Sequence, residues 1–468
     1  MRIHPHPVIA VAIAALLAPV AVTACSLDVA DLNNPSLDDL QNHPDAISIG
    51  AACTGLLIGN RGNKAAENGW VMQLGILGRE AYNFDAADPR YVDELLGGEL
   101  SRGSPFGGNF WANPYSNIRV GNIVLAALDK VGDLSDVQKA AVRGFVKTIG
   151  ALDLLDVVVT HDTNGAVLDI PADPLGTLTP IVRDKTQQYA RITGLLDDAE
   201  TDLRDAGAAF PFALSKGFAN FNTPATFLEF NRAIRARVAA YTGDYATVLT
   251  ALSNSFINDD RATVDFNAGV FYAYSTKPGD TANALLNPNI YVHPSVAADA
   301  KKNGSNVDAR FARKTVLADS PGDRGATLAF TPLYPTPEAS VPLIRNEELI
   351  LLKAEALFKV NRVAEAVVAL NVVRELSGHL APIVGIPDEA TFITELLYDR
   401  RYSLLFEGGH RWIDVRRFNQ LSTLPIFIGK DADGKDVPDK LNVRYPIPLG
   451  ECNARPGEEA CTLGSTNG

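Results

Sequence analysis

Residues 343–378, LIRNEELILLKAEALFKVNRVAEAVVALNVVRELSG, carry the pattern that decides the fold. Leu349, Leu352 and Ala356 recur at the spacing of one helix face, and Val363, Val367, Leu370 and Val373 do the same after a turn at Asn361. Gly378 stands where a helix C-terminus favours a residue without a Cβ. Ala354, Ala356, Ala364 and Ala366 let two axes approach closely. An antiparallel pair of about 34 residues per unit is the sequence shape of a tetratricopeptide-type repeat. The Trp-Leu-Gly consensus of such repeats is absent, so period and pairing carry the reading.

Helical spacing also fills residues 113–256. It runs from Pro114 to about Lys130, from a Ser135 cap to about Val159, from Pro180 to Asp205, from Pro224 to Tyr241, and from Asp244 to Phe256 after a Thr242-Gly243 turn. Residues 36–58 read as one further helix. Two stretches break the period. Residues 60–112 are glycine-rich and dotted with aromatics, and residues 258–342 carry prolines from Pro278 to Pro342. Long irregular segments in a compact chain are functional or disordered, and Phe271, Tyr272, Tyr274 and Tyr291 argue for function. Pro425 to Ile428 and Asn442 to Pro446, separated by an Asp-Gly turn, suggest a short hairpin. The expected class is all-α: tetratricopeptide-like helical pairs at about 113–256 and 345–417, long loop insertions, and a C-terminal hairpin.

The 468 residues are 46% apolar and 21% charged, which is globular chemistry with enough apolar side chain for a large core. A net charge of −13 opposes a nucleic-acid partner, since duplex binding needs clustered Lys and Arg. Arg2 precedes an uncharged run from Val8 to Val22 that would cover about 22 Å as a helix, short of the roughly 30 Å hydrocarbon core. Residues 1–24 therefore read as a removable export signal. Val22-Thr23-Ala24-Cys25 resembles a bacterial lipoprotein cleavage site, which implies an acylated Cys25, a polar tether over 25–35 and one domain over 36–468. Cys452 and Cys461, nine apart in a polar tail, form a candidate disulfide, and Cys53 reads as a buried inert thiol.

Three C-terminal segments together resemble the SusD/RagB family of outer-membrane nutrient-uptake lipoproteins. Ala354-Glu355-Ala356 with Asn371-Val372-Val373-Arg374 is similar to the family's paired-helix pattern. In DRRYSLLFEGGHRWIDVRRF, residues 399–418, Arg400, Arg401, Glu407, Gly408, Arg411, Trp412, Asp414 and Arg417 stand in register. Asp399 replaces the usual Glu, and an additional Gly409 or His410 widens the turn. In YPIPLGECNARP, residues 445–456, Pro446, Ile447, Pro448, Glu451, Asn453 and Pro456 match, with Cys452 an unusual occupant. The resemblance implies a non-enzymatic surface lipoprotein on the outside of the outer membrane. Such a protein binds an oligosaccharide or oligopeptide and delivers it to a SusC-like TonB-dependent transporter, with no cofactor.

The charged groups at Arg400, Arg401, Glu407, Arg411 and Asp414 read as ion pairs locking helix to turn, with Trp412 packed on them, rather than as an active site. The 7 histidines are scattered, and no His-Glu-x-x-His pair, phosphate loop or Gly-x-Ser-x-Gly turn exists. Asp431 to Asp436 resembles part of a calcium loop, but an Asp-Gly hairpin turn explains it better, so neither a metal site nor a catalytic residue is expected. Ligand contacts belong in the irregular segments, where aromatic faces stand beside hydrogen-bonding groups. The candidates are Arg79, Tyr82, Trp111, Tyr274 and Tyr291. Two other classes stay open: a surface-anchored hydrolase acting on glycans through carboxylates that meet only in space, and a helical-repeat adaptor that binds protein.

Overall fold

The computed structural model describes residues 37–172, 176–430 and 433–462. The export signal, Cys25, the tether and Asp431 lie outside them. Helices α1 (Leu37–Asn42) and α2 (Ala46–Arg61) replace the single helix expected over 36–58. Pro44 has no N–H to continue α1, and Asp45 restarts the chain by accepting from the Ser48 N–H at 2.7 Å. The next stretch is less irregular than its glycines suggest. It holds α3 (Trp70–Leu77), buried at every position, and then strand β1 (Ala81–Asn83).

The helical frame follows. α4 spans Pro105–Ala127 with a kink at Phe106–Gly107, so its regular turns begin after Gly107, still ahead of Pro114; the Ser104 hydroxyl accepts from the Phe106 N–H at 3.1 Å. Gly107, at φ +80°, makes room for the Tyr445 ring, which a Cβ would strike. α5 (Asp136–His161) starts at the Ser135–Gln138 capping box. α6 (Lys185–Arg204) starts later than Pro180, because Ile181–Val182 pairs with Ala166–Val167 as a two-residue strand and Asp184 is the cap. α7 (Pro224–Thr242) and α8 (Tyr245–Ser253) take Thr223 and Asp244 as caps. Successive helices pack on one another from α4 to α8, and α2 also lies against α4.

The irregular middle is organised by short two-stranded pairs. β2 (Gly269–Tyr272) is followed by β3 (Ile290–Val292), which pairs antiparallel with β1. β4 (Val316–Leu317) and β5 (Leu328–Ala329) form a small ladder, and β6 (Val341–Arg345) pairs with β2. The decisive sequence then folds as read: α9 (Asn346–Lys359) and α10 (Val363–Leu376) pack together around Asn361, whose φ is +63°. α11 (Glu389–Ser403) completes this block, with the Phe358 and Phe392 rings stacked 4.0 Å apart. α12 (His410–Arg417) returns the chain to α3.

The C-terminal hairpin exists with a different second strand: β7 (Ile428–Lys430) pairs with β8 (Asp436–Pro438). The segment 442–446 is bound elsewhere. The Asn442 carbonyl accepts from the Trp412 indole at 2.9 Å, and the Tyr445 N–H donates to Thr160 at 2.8 Å. Cys452 and Cys461 are joined in a disulfide. No helix among the described residues is long and apolar enough to cross a membrane.

Candidate functional site

The β1–β3 ladder brings three of the five candidate ligand residues together. Its register places Tyr82 opposite Tyr291, and the positive φ of Arg79 turns the chain out of α3 into β1. Phe84 lies 5.1 Å from the Tyr82 ring and 5.6 Å from the Tyr291 ring. The turn between β4 and β5 closes over this cluster: a Cβ on Gly322 would sit 3.0 Å from the Tyr291 ring, and the Arg324 guanidinium lies 5.7 Å from the Tyr82 ring. Arg324 also stands 4.5 Å over Phe427 and pairs with buried Asp439 at 2.8 Å, tying this turn to the C-terminal hairpin.

All five candidates are buried, so in this structure their side chains present little surface to a ligand. Arg79 is consumed by carbonyls. It donates to Pro425 at 3.1 Å and Lys440 at 2.8 Å, and to Ile76 and Leu77 at the end of α3. Tyr82 and Tyr291 are covered as described. Trp111 belongs to α4, its edge against Tyr115 and His161 at 4.8 and 5.0 Å. Tyr274 packs under Arg61, 5.4 Å away. Neither of these two joins the β1–β3 cluster. The physical reason is common to all: in a chain with 3 tryptophans, large aromatics in loops are what holds those loops to the frame. The face that remains accessible presents Phe84, Arg324 and Phe427, half-buried or exposed, above the covered tyrosines. A planar guanidinium between aromatic rings supplies the stacking and hydrogen bonding that polyhydroxylated ligands use.

A buried ion-pair network contains the C-terminal motif. Arg400 holds Asp414 at 2.6 Å, joining α11 to α12. Glu407 accepts from Lys314 at 2.6 Å and Arg345 at 2.8 Å; burial pushes its pKa up, but these two cations bring it below the usual carboxylate range. Arg401 reaches Asp299 at 2.6 Å, and Arg411 donates to the Arg79 carbonyl at 3.1 Å. Trp412 is fully buried, with the Arg416 guanidinium 3.6 Å over its ring. The sequence reading missed the partners contributed by the loops and the β6–α9 junction. Arg310 binds Asp308 and Asp399 at 2.6 and 2.7 Å, and Arg237 binds Glu348 at 2.7 Å. The Arg345-Asn346-Glu347-Glu348 run was the available signal, a dense charge cluster entering an apolar helix.

Among the carboxylates whose pKa burial raises, Asp153 and Glu80 reach the range that catalytic sites use. Burial pushes Asp153 up to about 8 and Glu80 up to about 7. Both are enclosed in the core. Asp153 accepts from Asn60 and Asn117 at 2.7 Å each, beside Asp156 and its partner Lys64. Among the described residues, no group of three or more His, Cys, Asp or Glu side chains is placed to hold a metal ion.

The SusD family model matches residues 258–457. A SusD-like protein of Formosa agariphila is 34% identical over 90 residues, a stretch that spans 18% of this chain and 18% of that relative. A SusD-like carbohydrate binding protein from Bacteroides fragilis shares the fold with TM-score 0.67 at 15% identity, covering 88% of this chain and 98% of the other. A laminarin binding SusD-like protein gives a TM-score of 0.63 at 16% identity, covering 89% and 98%. The motif-bearing segment 258–457 thus matches the SusD family model directly, and the fold of the solved SusD-like proteins is shared over nearly the whole length.

Proposed function

We propose that this chain is a lipid-anchored surface protein that captures an oligosaccharide, or an oligopeptide, and hands it to a SusC-like TonB-dependent outer-membrane transporter. The observation that carries the reading is the shared fold, at nearly full length, with proteins described as carbohydrate binding and laminarin binding. The Phe84–Arg324–Phe427 face, tied to the C-terminal hairpin by the Arg324–Asp439 pair, supports capture without turnover. The lipobox at Val22-Thr23-Ala24-Cys25 supports acyl anchoring at Cys25, and stacked helix pairs supply the broad stiff surface a transporter needs.

Calorimetric titration of the purified chain with soluble glycans and oligopeptides tests the capture step. Saturable binding to one class is expected. Silence across both would overturn the reading and leave a helical-repeat adaptor for proteins. Labelling cells with palmitate tests the anchor: label is expected on the chain and absent from Cys25→Ser.

A further inference from the structure

A cleft of about 380 Å³ opens where helix ends meet: the last turns of α5, α7, α9 and α12 and the first turns of α6 and α8. Its volume falls within the roughly 300–1,000 Å³ of small-molecule pockets. Three tyrosines, Tyr189, Tyr241 and Tyr245, line it above an apolar floor that includes Val159 and Ile413. No sequence window contains all three, and none belongs to the loop segments discussed above.

The charges of the cleft decide what it accepts. Its cations look abundant, but each already has a carboxylate or carbonyl partner. Lys185 and Arg416 share Asp162, at 3.0 and 3.6 Å, Lys359 pairs with Glu389, and Arg417 binds Glu355 at 2.5 Å and Asp414 at 3.0 Å, the latter shared with Arg400. Arg416 donates to the Val159 carbonyl at 2.7 Å, and Arg417 to the Ala240 carbonyl at 2.9 Å, so these guanidiniums cap the ends of α5 and α7. Helix C-termini carry partial negative charge and disfavour an added anion. What remains is a ring of donors and acceptors whose charges are largely offset by carboxylates and helix C-termini, beside aromatic faces and set on helix ends that lose little freedom on binding. That array suits vicinal hydroxyls on a ring with an apolar face.

We propose that this cleft is a binding subsite for a short neutral saccharide, on the order of one to two sugar rings, separate from the loop face. The subsite goes beyond the capture function argued above and does not depend on where longer chains bind.

The test uses the purified mature chain and three neutral probes, maltose, cellobiose and laminaribiose, with galacturonic acid as the charged comparison. Saturation-transfer NMR and calorimetry are expected to show saturable binding of at least one neutral disaccharide. Tyr245→Ala and Lys185→Met are each expected to weaken it about tenfold. Lys185 is about half exposed, with 48% of its side chain accessible, so its replacement leaves the fold intact and keeps the result interpretable. Absence of binding by all three disaccharides overturns the proposal. So does binding that both variants leave unchanged, or tighter binding of the uronic acid than of any neutral probe.

Discussion

The loop face and the helix-end cleft use the same side chains in opposite ways. In the loop face the tyrosines of the two aromatic-rich segments are turned inward. Tyr82 and Tyr291 lie under the Gly322–Arg324 turn and serve as packing for a segment with little secondary structure of its own. At the cleft, Tyr189, Tyr241 and Tyr245 come from three helices, and none of them is fully buried. A helical frame gets its core from its own periodic faces and can leave aromatics at its ends uncovered. An irregular segment has no such faces, so it spends its aromatics on burial. Aromatic density in a loop therefore reports first on how the loop is held down.

Substitutions can break this contrast, and the largest effect is expected at Tyr82. Tyr82→Ala removes a fully packed ring and should cost about 3–5 kcal/mol in urea unfolding. A neutral result would mean that the ring is not part of the core. Arg324→Ala leaves Asp439 buried without its partner and uncovers Phe427, an expected loss of about 2–3 kcal/mol together with weakened binding of any glycan captured on that face. Tyr245→Ala is the opposite case: about 1 kcal/mol or less in stability, read by thermal melting, with its main consequence in saccharide binding.

Acidity gives a further handle on α5, whose end walls the cleft. The Asp153 pKa is raised by burial from 3.8 to about 8. Between those values the folded chain holds a proton that the unfolded chain has released. The stability this group contributes is thus fully present below about pH 4 and lost as pH rises toward 8. Asp153→Asn should flatten that part of the pH–stability curve, measured by denaturant midpoints at intervals from pH 4 to 8. An unchanged slope would place the titration elsewhere. The smallest global effect is expected from Cys452→Ser. The bond closes a short loop near the C-terminus, so the variant should show faster proteolysis of the tail with little change in the main unfolding transition.

The frame was legible because its signals are local. Period, N-caps and the Asn361 turn lie within a few residues of what they determine, and Ser135, Thr223 and Asp244 cap helices close to where the spacing begins. Boundaries failed where a nonlocal partner intervened. Residues 442–446 look like a strand but are taken by Trp412 and Thr160, and Pro180 opens a strand pair before the helix can start. The C-terminal Arg and carboxylate motif was readable as ion pairing, whereas Arg310 and Lys314 could be recognised as its partners only once the chain had folded. The accessible binding groups were the least legible. Arg324 stands alone in a glycine-flanked turn at φ +55°, and the cleft draws on residues from 158 to 418.

The central claim is recognition without turnover on a rigid helical frame. Its most direct test is to hold the purified chain at saturating concentration with whichever oligosaccharide it binds and to follow the sugar by chromatography over time. The account predicts that every molecule recovered has its original length. Shorter products that accumulate with time and with protein concentration would contradict it.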